Sequence, residues 1–223
     1  MKKFDVSALG ELLIDFIEIG KSTQGNPLLE ANPGGAPCNV LAMLNKLGKK
    51  TAFIGKVGND VFGRQLSEAV SKSGTDISGL ATDEDVHTTL AFVHTLLGGE
   101  REFSFYRNPG ADMMLRKNDI KEDIIKNSRV FHFGSLSLTH DYVREATRYA
   151  VDIAKKNNIL ISFDPNLREP LWESLNDAKR QIEYGLSNCD ILKISDNELE
   201  FVTGMSDYEK GAKLLLNTYN IPI

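Results

Sequence analysis

Cysteine is scarce in this sequence: Cys38 and Cys189 are the two in 223 residues. They stand far apart, without Cys-x-x-Cys or His-x-x-x-His company, which argues against a zinc site and a disulfide framework. A reducing cytoplasm is the expected home. Histidine is sparse as well. His87, His94, His132 and His140 are scattered, none at a triad-like or ligand-like spacing, so they read as structural or surface residues. Positive charge is in short supply, with 26 Lys and Arg against 31 Asp and Glu and a net charge of −5. With no basic run or aromatic–basic alternation, nothing invites nucleic acid. Long apolar runs are missing too, and none approaches the ~20 residues that cross a bilayer as a helix. The opening MKKFDVSALGELLIDF mixes lysines and acids among its apolar residues. It reads as a first strand, not a secretory leader. A phosphate-binding P-loop is narrowly missed: Gly20-Lys21 needs a glycine five residues earlier, where Asp15 stands.

What is present is an ordinary globular composition, 41% hydrophobic and 26% charged, long enough for one large α/β domain or one with a small appendage. The stretch Asn32–Asn39, NPGGAPCN, organises the rest. Gly34 and Gly35 let the backbone pass close to a ligand, and Pro37 suits the first turn of a helix. Behind it Val40, Met43, Leu44 and Leu47 recur at helical spacing, with Gly48 as a stop. Unpaired N–H groups at that helix start, with Asn39 one turn in, suit a small polar molecule. An ordinary glycine turn explains the same residues.

Phe4–Leu9 reads as a buried strand ending at Gly10, and the segment with Glu11 and Asp15 as a strand becoming half exposed. Lys21–Glu30 reads as a surface loop. Thr51–Val57 is an expected strand, Val61–Ser73 a helix, and Ile77–Ala81 a short strand. Thr88–Leu96 and Arg101–Arg107 alternate around Gly98-Gly99, the pattern of a β-hairpin standing off the main sheet. From about Asn118 the elements alternate strictly. Helices are expected at Asp119–Lys126, Asp141–Lys156, Leu175–Leu186, Asn197–Val202 and Glu209–Thr218. The strands between them are Val130–Phe133, Ile159–Phe163 and Asp190–Ile194. This implies a parallel sheet with helices on both faces, and ligands outside the carboxyl ends of its strands.

Chemistry-bearing residues gather at those ends. Asp15 could accept hydrogen bonds from adjacent sugar hydroxyls, or simply face solvent. Asp164-Pro-Asn166-Leu-Arg168 is either a turn or a set of polar groups in which Arg168 steadies phosphate charge. Arg107, closing the hairpin, could meet a ligand or form a surface ion pair. Ser195 and Glu198 form a capping box, a full structural explanation, though a carboxylate there could also hold a metal-bound water.

Taken together, GELLIDF, PGGAPCN, IGKVGNDVFG, the hairpin ending FYRNPGAD, FHFGSLSL, FDPNLREPLW and ILKISDNELEFVTG resemble the PfkB, or ribokinase-like, carbohydrate kinase family from Val6 to the end of the chain. NPGADMML and DPNLREPLW are most similar to its fructokinase branch. The resemblance implies a mostly parallel sheet flanked by helices with a small β-strand lid. Residues 1–223 would form one such domain, with lid strands inserted at about 12–33 and 86–108. It also implies ATP-dependent phosphorylation of a primary hydroxyl of a hexose, fructose first, with 2-keto-3-deoxygluconate kinase as the alternative. Asp15, Gly34, Gly35 and Asn39 would hold the sugar, with Phe105 and Arg107 as a cover. Arg168 would lie near the transferred phosphate, while Ser195 and Glu198 would serve ATP and Mg²⁺, Glu198 through water. Ser195 replaces the family's usual Asn, and Leu41 its usual small residue. The family's GAGD-type segment, carrying the proton-accepting Asp, is absent from the sequence and is expected beyond Ile223. The resemblance therefore also allows a catalytically incomplete sugar-binding fragment. A homodimer through the lid is expected, with no nucleic acid or membrane partner.

Overall fold

The computed structural model describes residues 2–95 and 101–222. Its chain order is β1 (Phe4–Leu9), β2 (Leu13–Lys21), β3 (Pro27–Gly34), α1 (Ala36–Lys46), β4 (Thr51–Gly58), α2 (Val61–Lys72), β5 (Asp76–Asp83), β6 (Leu90–Thr95) and β7 (Arg101–Tyr106). Then come α3 (Glu122–Lys126), β8 (Ser128–Gly134), α4 (Asp141–Lys156), β9 (Leu160–Asp164), α5 (Leu175–Leu186), β10 (Ile191–Leu192), α6 (Asp196–Thr203) and α7 (Tyr208–Tyr219).

Six strands form the main sheet in the order β10-β9-β8-β1-β4-β5, every pairing parallel. Parallel neighbours need crossovers, and helices supply them on both faces, so the central strands read as continuous apolar runs. One face buries Phe131, Phe133 and Phe163 beneath α4 and α5, with the Phe133 and Phe163 rings 4.8 Å apart. The other packs Leu41 of α1 and Leu66 and Val70 of α2 against Ala8, Phe53 and Val57. The second sheet has the order β3-β2-β6-β7. Its β2 leaves the main sheet directly after β1, so one continuous stretch ties the small sheet to the large one.

Most expected elements are present with shifted ends. One expectation fails: Lys21–Glu30 is not a loop, because β2 runs to Lys21 and β3 starts at Pro27. Only a tight turn separates them, with the Asn26 carbonyl accepting from Ser22 N–H at 2.8 Å. The outer ends of both strands are exposed, so neither carries the alternation that burial on one face imposes. Asp119–Lys126 also proves shorter, a single turn at Lys117–Asp119 followed by α3. The Gly98-Gly99 turn lies outside the described residues. Among the described residues, no helix is long and apolar enough to cross a membrane.

Candidate active site

A cavity of about 330 Å³ lies where the small sheet meets the carboxyl ends of the main strands, walled by Asp15, Gly35, Asn39, Phe103, Phe105 and Arg168, with Glu11 also lining it. Its residues come from β2, the start of α1, β7 and the loop after β9. Sequence-distant segments thus converge because parallel strands all deliver their carboxyl ends to one edge.

Asp15 sits on β2, paired in register with Asn32. Burial pushes its carboxyl above the usual range, and the Arg168 guanidinium opposes that rise. Gly34 is what makes room for it. A Cβ there would fall 2.2 Å from Asp15 Oδ2. Gly35 has φ of +119°, and a Cβ on it would meet the Glu11 carbonyl oxygen at 2.4 Å. Only glycine takes that backbone without strain while lying so close to the segment that joins β1 and β2. The helix then starts at once, Asn39 N–H donating to the Gly35 carbonyl at 3.1 Å. The two glycines therefore serve different ends. Gly34 clears space for a carboxylate, and Gly35 turns the chain.

Phe105 lines the cavity as the hairpin pattern suggests, and so does Phe103, which sequence reasoning missed. The signal was available, since residues two apart on a strand share a face. Their rings lie nearly parallel, centroids 6.0 Å apart, and the Arg168 guanidinium stands 5.5 Å over Phe103. Arg168 is further steadied by a hydrogen bond from Nη1 to the Leu167 carbonyl at 3.0 Å.

Glu11 is the other residue missed. It is 3% exposed, and its Oε1 accepts from Ala36 N–H at 2.8 Å. Burial raises its pKa to about 7, against the pull of the Glu11 and Ala36 backbone amides; nearby Asp112 adds to the rise. An acid directly after an apolar strand and glycine is a weak signal, because the same pattern starts many surface loops.

Arg107 is placed differently from the other expected sugar residues. Its guanidinium is buried and makes four polar contacts: Nε and Nη2 reach Asp112 Oδ2 at 2.9 and 2.7 Å, Nη1 donates to Thr139 Oγ1 at 2.9 Å, and Nη2 to the Leu136 carbonyl at 3.2 Å. It borders an adjoining cavity that shares the Phe103 and Phe105 wall.

Ser195 and Glu198 lie at the next strand end, outside the cavity around Asp15. Glu198 is 6% exposed, and its two oxygens accept from Leu167 N–H and Ser195 N–H, both at 2.8 Å. It thereby pins the loop carrying Arg168 to the start of α6. Beside it Asp164 pairs with Lys193 at 3.2 Å. Burial raises Asp164 and Lys193 lowers it. Among the described residues, no group of three or more His, Cys, Asp or Glu is arranged to hold a metal ion. Mg²⁺ does not require one. It commonly keeps several waters and takes one or two carboxylates plus substrate phosphates. Asp164 and Glu198, neighbours at a strand end, fit that mode.

Residues 3–220 match the family described as pfkB family carbohydrate kinase. The chain is 44% identical over 224 residues to the probable fructokinase-3 of Arabidopsis thaliana, covering 96% of this chain and 65% of that one. The structure of fructokinase with bound ATP from Xylella fastidiosa superposes with a TM-score of 0.86 at 30% identity, covering 96% and 69%. A fructokinase double mutant from Vibrio cholerae, in fructose, ADP and potassium ion bound form, gives 0.86 at 30% identity, covering 100% and 69%. The chain thus spans about two thirds of the length of the relatives it matches. Its fold is that of the ribokinase-like sugar kinases, and the chain belongs to the pfkB family of carbohydrate kinases.

Proposed function

We propose that this chain carries the sugar site and part of the phosphate site of an ATP-dependent kinase that phosphorylates a primary hydroxyl of a hexose, D-fructose first. The observation that carries this reading is Asp15, a half-buried carboxylate held over Gly34 and facing Arg168 across a cavity walled by two phenylalanines. Asp15 accepts sugar hydroxyls, and the glycine turn lets the start of α1 donate to others. Phe103 and Phe105 cover the apolar edge of the ring. Arg168 steadies charge on the phosphate being transferred. The relatives' names, fructokinase in both plants and bacteria, support fructose.

Alignment of hydroxyl and phosphate, exclusion of water and neutralisation of charge account for most of such a reaction. The small sheet acts as a lid that excludes water. ATP lies toward Ser195 and Glu198. Glu198, through water, and Asp164 alongside would hold Mg²⁺, which would supply neutralisation of phosphate charge. The proton-accepting Asp belongs to a GAGD-type segment, which does not occur among these 223 residues, so sugar binding is the activity assigned to them alone.

The rival substrate, 2-keto-3-deoxygluconate, asks Arg107 and Arg168 to meet a carboxylate. Arg107 is committed to Asp112, and the cavity already holds two acids, Glu11 and Asp15. Both features favour a neutral sugar. Titration calorimetry with the two sugars side by side tests the choice. Fructose binding without 2-keto-3-deoxygluconate binding is expected, and the reverse order would overturn it.

The lid also forms a homodimer interface in this reading, supported by the exposed Ile19, Leu28 and Leu29 on β2 and β3. Sedimentation equilibrium, with and without charges placed at these positions, tests it. The cytoplasm is its setting, in keeping with two free, buried cysteines.

A further inference from the structure

Glu11 has an explained half and an unexplained half. Helix α1 receives no side-chain cap from Gly35, and Glu11 reaches across from the end of β1 to accept the Ala36 N–H at 2.8 Å. That is the explained half. A carboxylate has about four acceptor positions; this contact and the residue's own backbone amide account for two of them. Glu11 is 3% exposed and still lines the cavity around Asp15, so what surface it retains faces the ligand space. Among the described residues, no cation lies within ion-pair distance of it; Asp112 repels its charge, and Arg107, itself paired with Asp112, attracts it. With Gly35 held as glycine the cap must come from elsewhere, but a neutral acceptor at position 11 would serve as well. Burying an unpaired acid is a costly way to obtain the same contact.

We propose that Glu11 is a second acid contact to the sugar, accepting a hydroxyl on the α1 side of the cavity while Asp15 accepts from the side of the small sheet. The inference rests on the sugar-binding reading above. Two acids at separate points of the wall would fix the ring's orientation, because each demands a hydroxyl and a site with an unpaired buried acceptor rejects a sugar that lacks it.

The test is a residue–ligand cycle on the 223-residue chain. Calorimetry at pH 8.5 measures D-fructose and its monodeoxy analogues against wild type, Glu11→Gln and Glu11→Asp. Glu11→Gln keeps an oxygen for Ala36 N–H but removes the charge. For wild type, removal of one particular hydroxyl should weaken binding roughly tenfold or more. In Glu11→Gln, D-fructose itself should weaken by a similar factor, and deleting that same hydroxyl should then cost little. A purely structural role would leave the deoxy penalty intact, and that result overturns the inference. If Glu11→Gln fails to fold, Glu11→Asp decides on the same criterion, since it keeps the charge and withdraws it by one methylene. Absence of D-fructose binding in wild type would overturn the sugar reading and this inference together. Normal wild-type binding with an unchanged deoxy penalty in the variants sinks this inference alone.

Discussion

The side chain that Gly34 lacks would begin 2.2 Å from Oδ2 of Asp15. The glycine on β3 and the acid on β2 are therefore one unit: the carboxylate occupies the space that any other residue at position 34 would fill. The nearest atom is the end of a side chain that can rotate, so Gly34→Ala should fold. It should cost about 1 kcal/mol of stability and turn the carboxylate away from the cavity, weakening fructose binding at least roughly tenfold. At Gly35 the obstacle is the Glu11 backbone, and φ is +119°. Gly35→Ala should lose ~1–3 kcal/mol or more. Urea denaturation and fructose calorimetry on the pair should therefore separate the two glycines; equal effects on both readouts would refute the distinction between them.

Asp15→Ala should abolish measurable fructose binding while leaving the melting temperature close to that of wild type, because Asp15 makes no ion pair shorter than 4 Å among the described residues. Asp15→Asn should fall between, as charge-assisted hydrogen bonds of ~1.5–3 kcal/mol give way to neutral ones of ~1 kcal/mol. Near-normal affinity in Asp15→Ala would remove this residue from the site.

Arg107 and Asp112 form a buried pair, both within the interior and both further hydrogen bonded. Removing one partner leaves the other charged and buried. Arg107→Ala and Asp112→Ala should each cost ~3–5 kcal/mol, visible as a large drop in thermal midpoint. The double variant should cost clearly less than the sum of the two. Additive losses would mean that the pair contributes little as a pair.

Two buried titratable groups push the pH dependence of stability in opposite directions. Burial raises Glu11 from 4.5 to about 7. The folded state then binds its proton more tightly than the unfolded one. This contribution is fully present below pH ~4.5, falls as pH rises, and is lost by about pH 7, a change of about 3 kcal/mol. Burial, helped by Lys193, lowers His132 from 6.5 to about 4. Its stabilisation is present above pH ~6.5 and is lost as pH falls toward 4, again by about 3 kcal/mol. Between pH 4.5 and 6.5 the two slopes largely cancel. Glu11→Gln should expose the rising His132 limb in urea titrations across this range. His132→Asn should expose the falling Glu11 limb. Parallel curves for both variants and wild type would disprove the assignment.

The sequence by itself determined the alternation of strand and helix, because period-2 and period-3.6 patterns survive wherever one face is buried. It determined the glycine pair before α1 and the carboxylate of Asp15, since both are local chemistry. It also placed Arg168 and Glu198 at strand ends. It could not separate Gly34 from Gly35, whose roles depend on Asp15 and Glu11, neighbours only after β2 and β3 pair. It took the outer half of β3, with Lys21 at the end of β2, for a loop, because a strand exposed on both faces has no alternation to display. The direction of the Arg107 side chain was equally out of reach. Arginine at a hairpin end serves a ligand or an ion pair with the same sequence, and the buried Asp112 five residues on decides between them. Glu11 illustrates the limit most plainly. Its local pattern is shared with many surface loops, and only the meeting of β1, α1 and the small sheet encloses it beside the cavity. Periodicity records which face is buried, whereas enclosure depends on which segments arrive from elsewhere in the chain, and that is decided by tertiary packing.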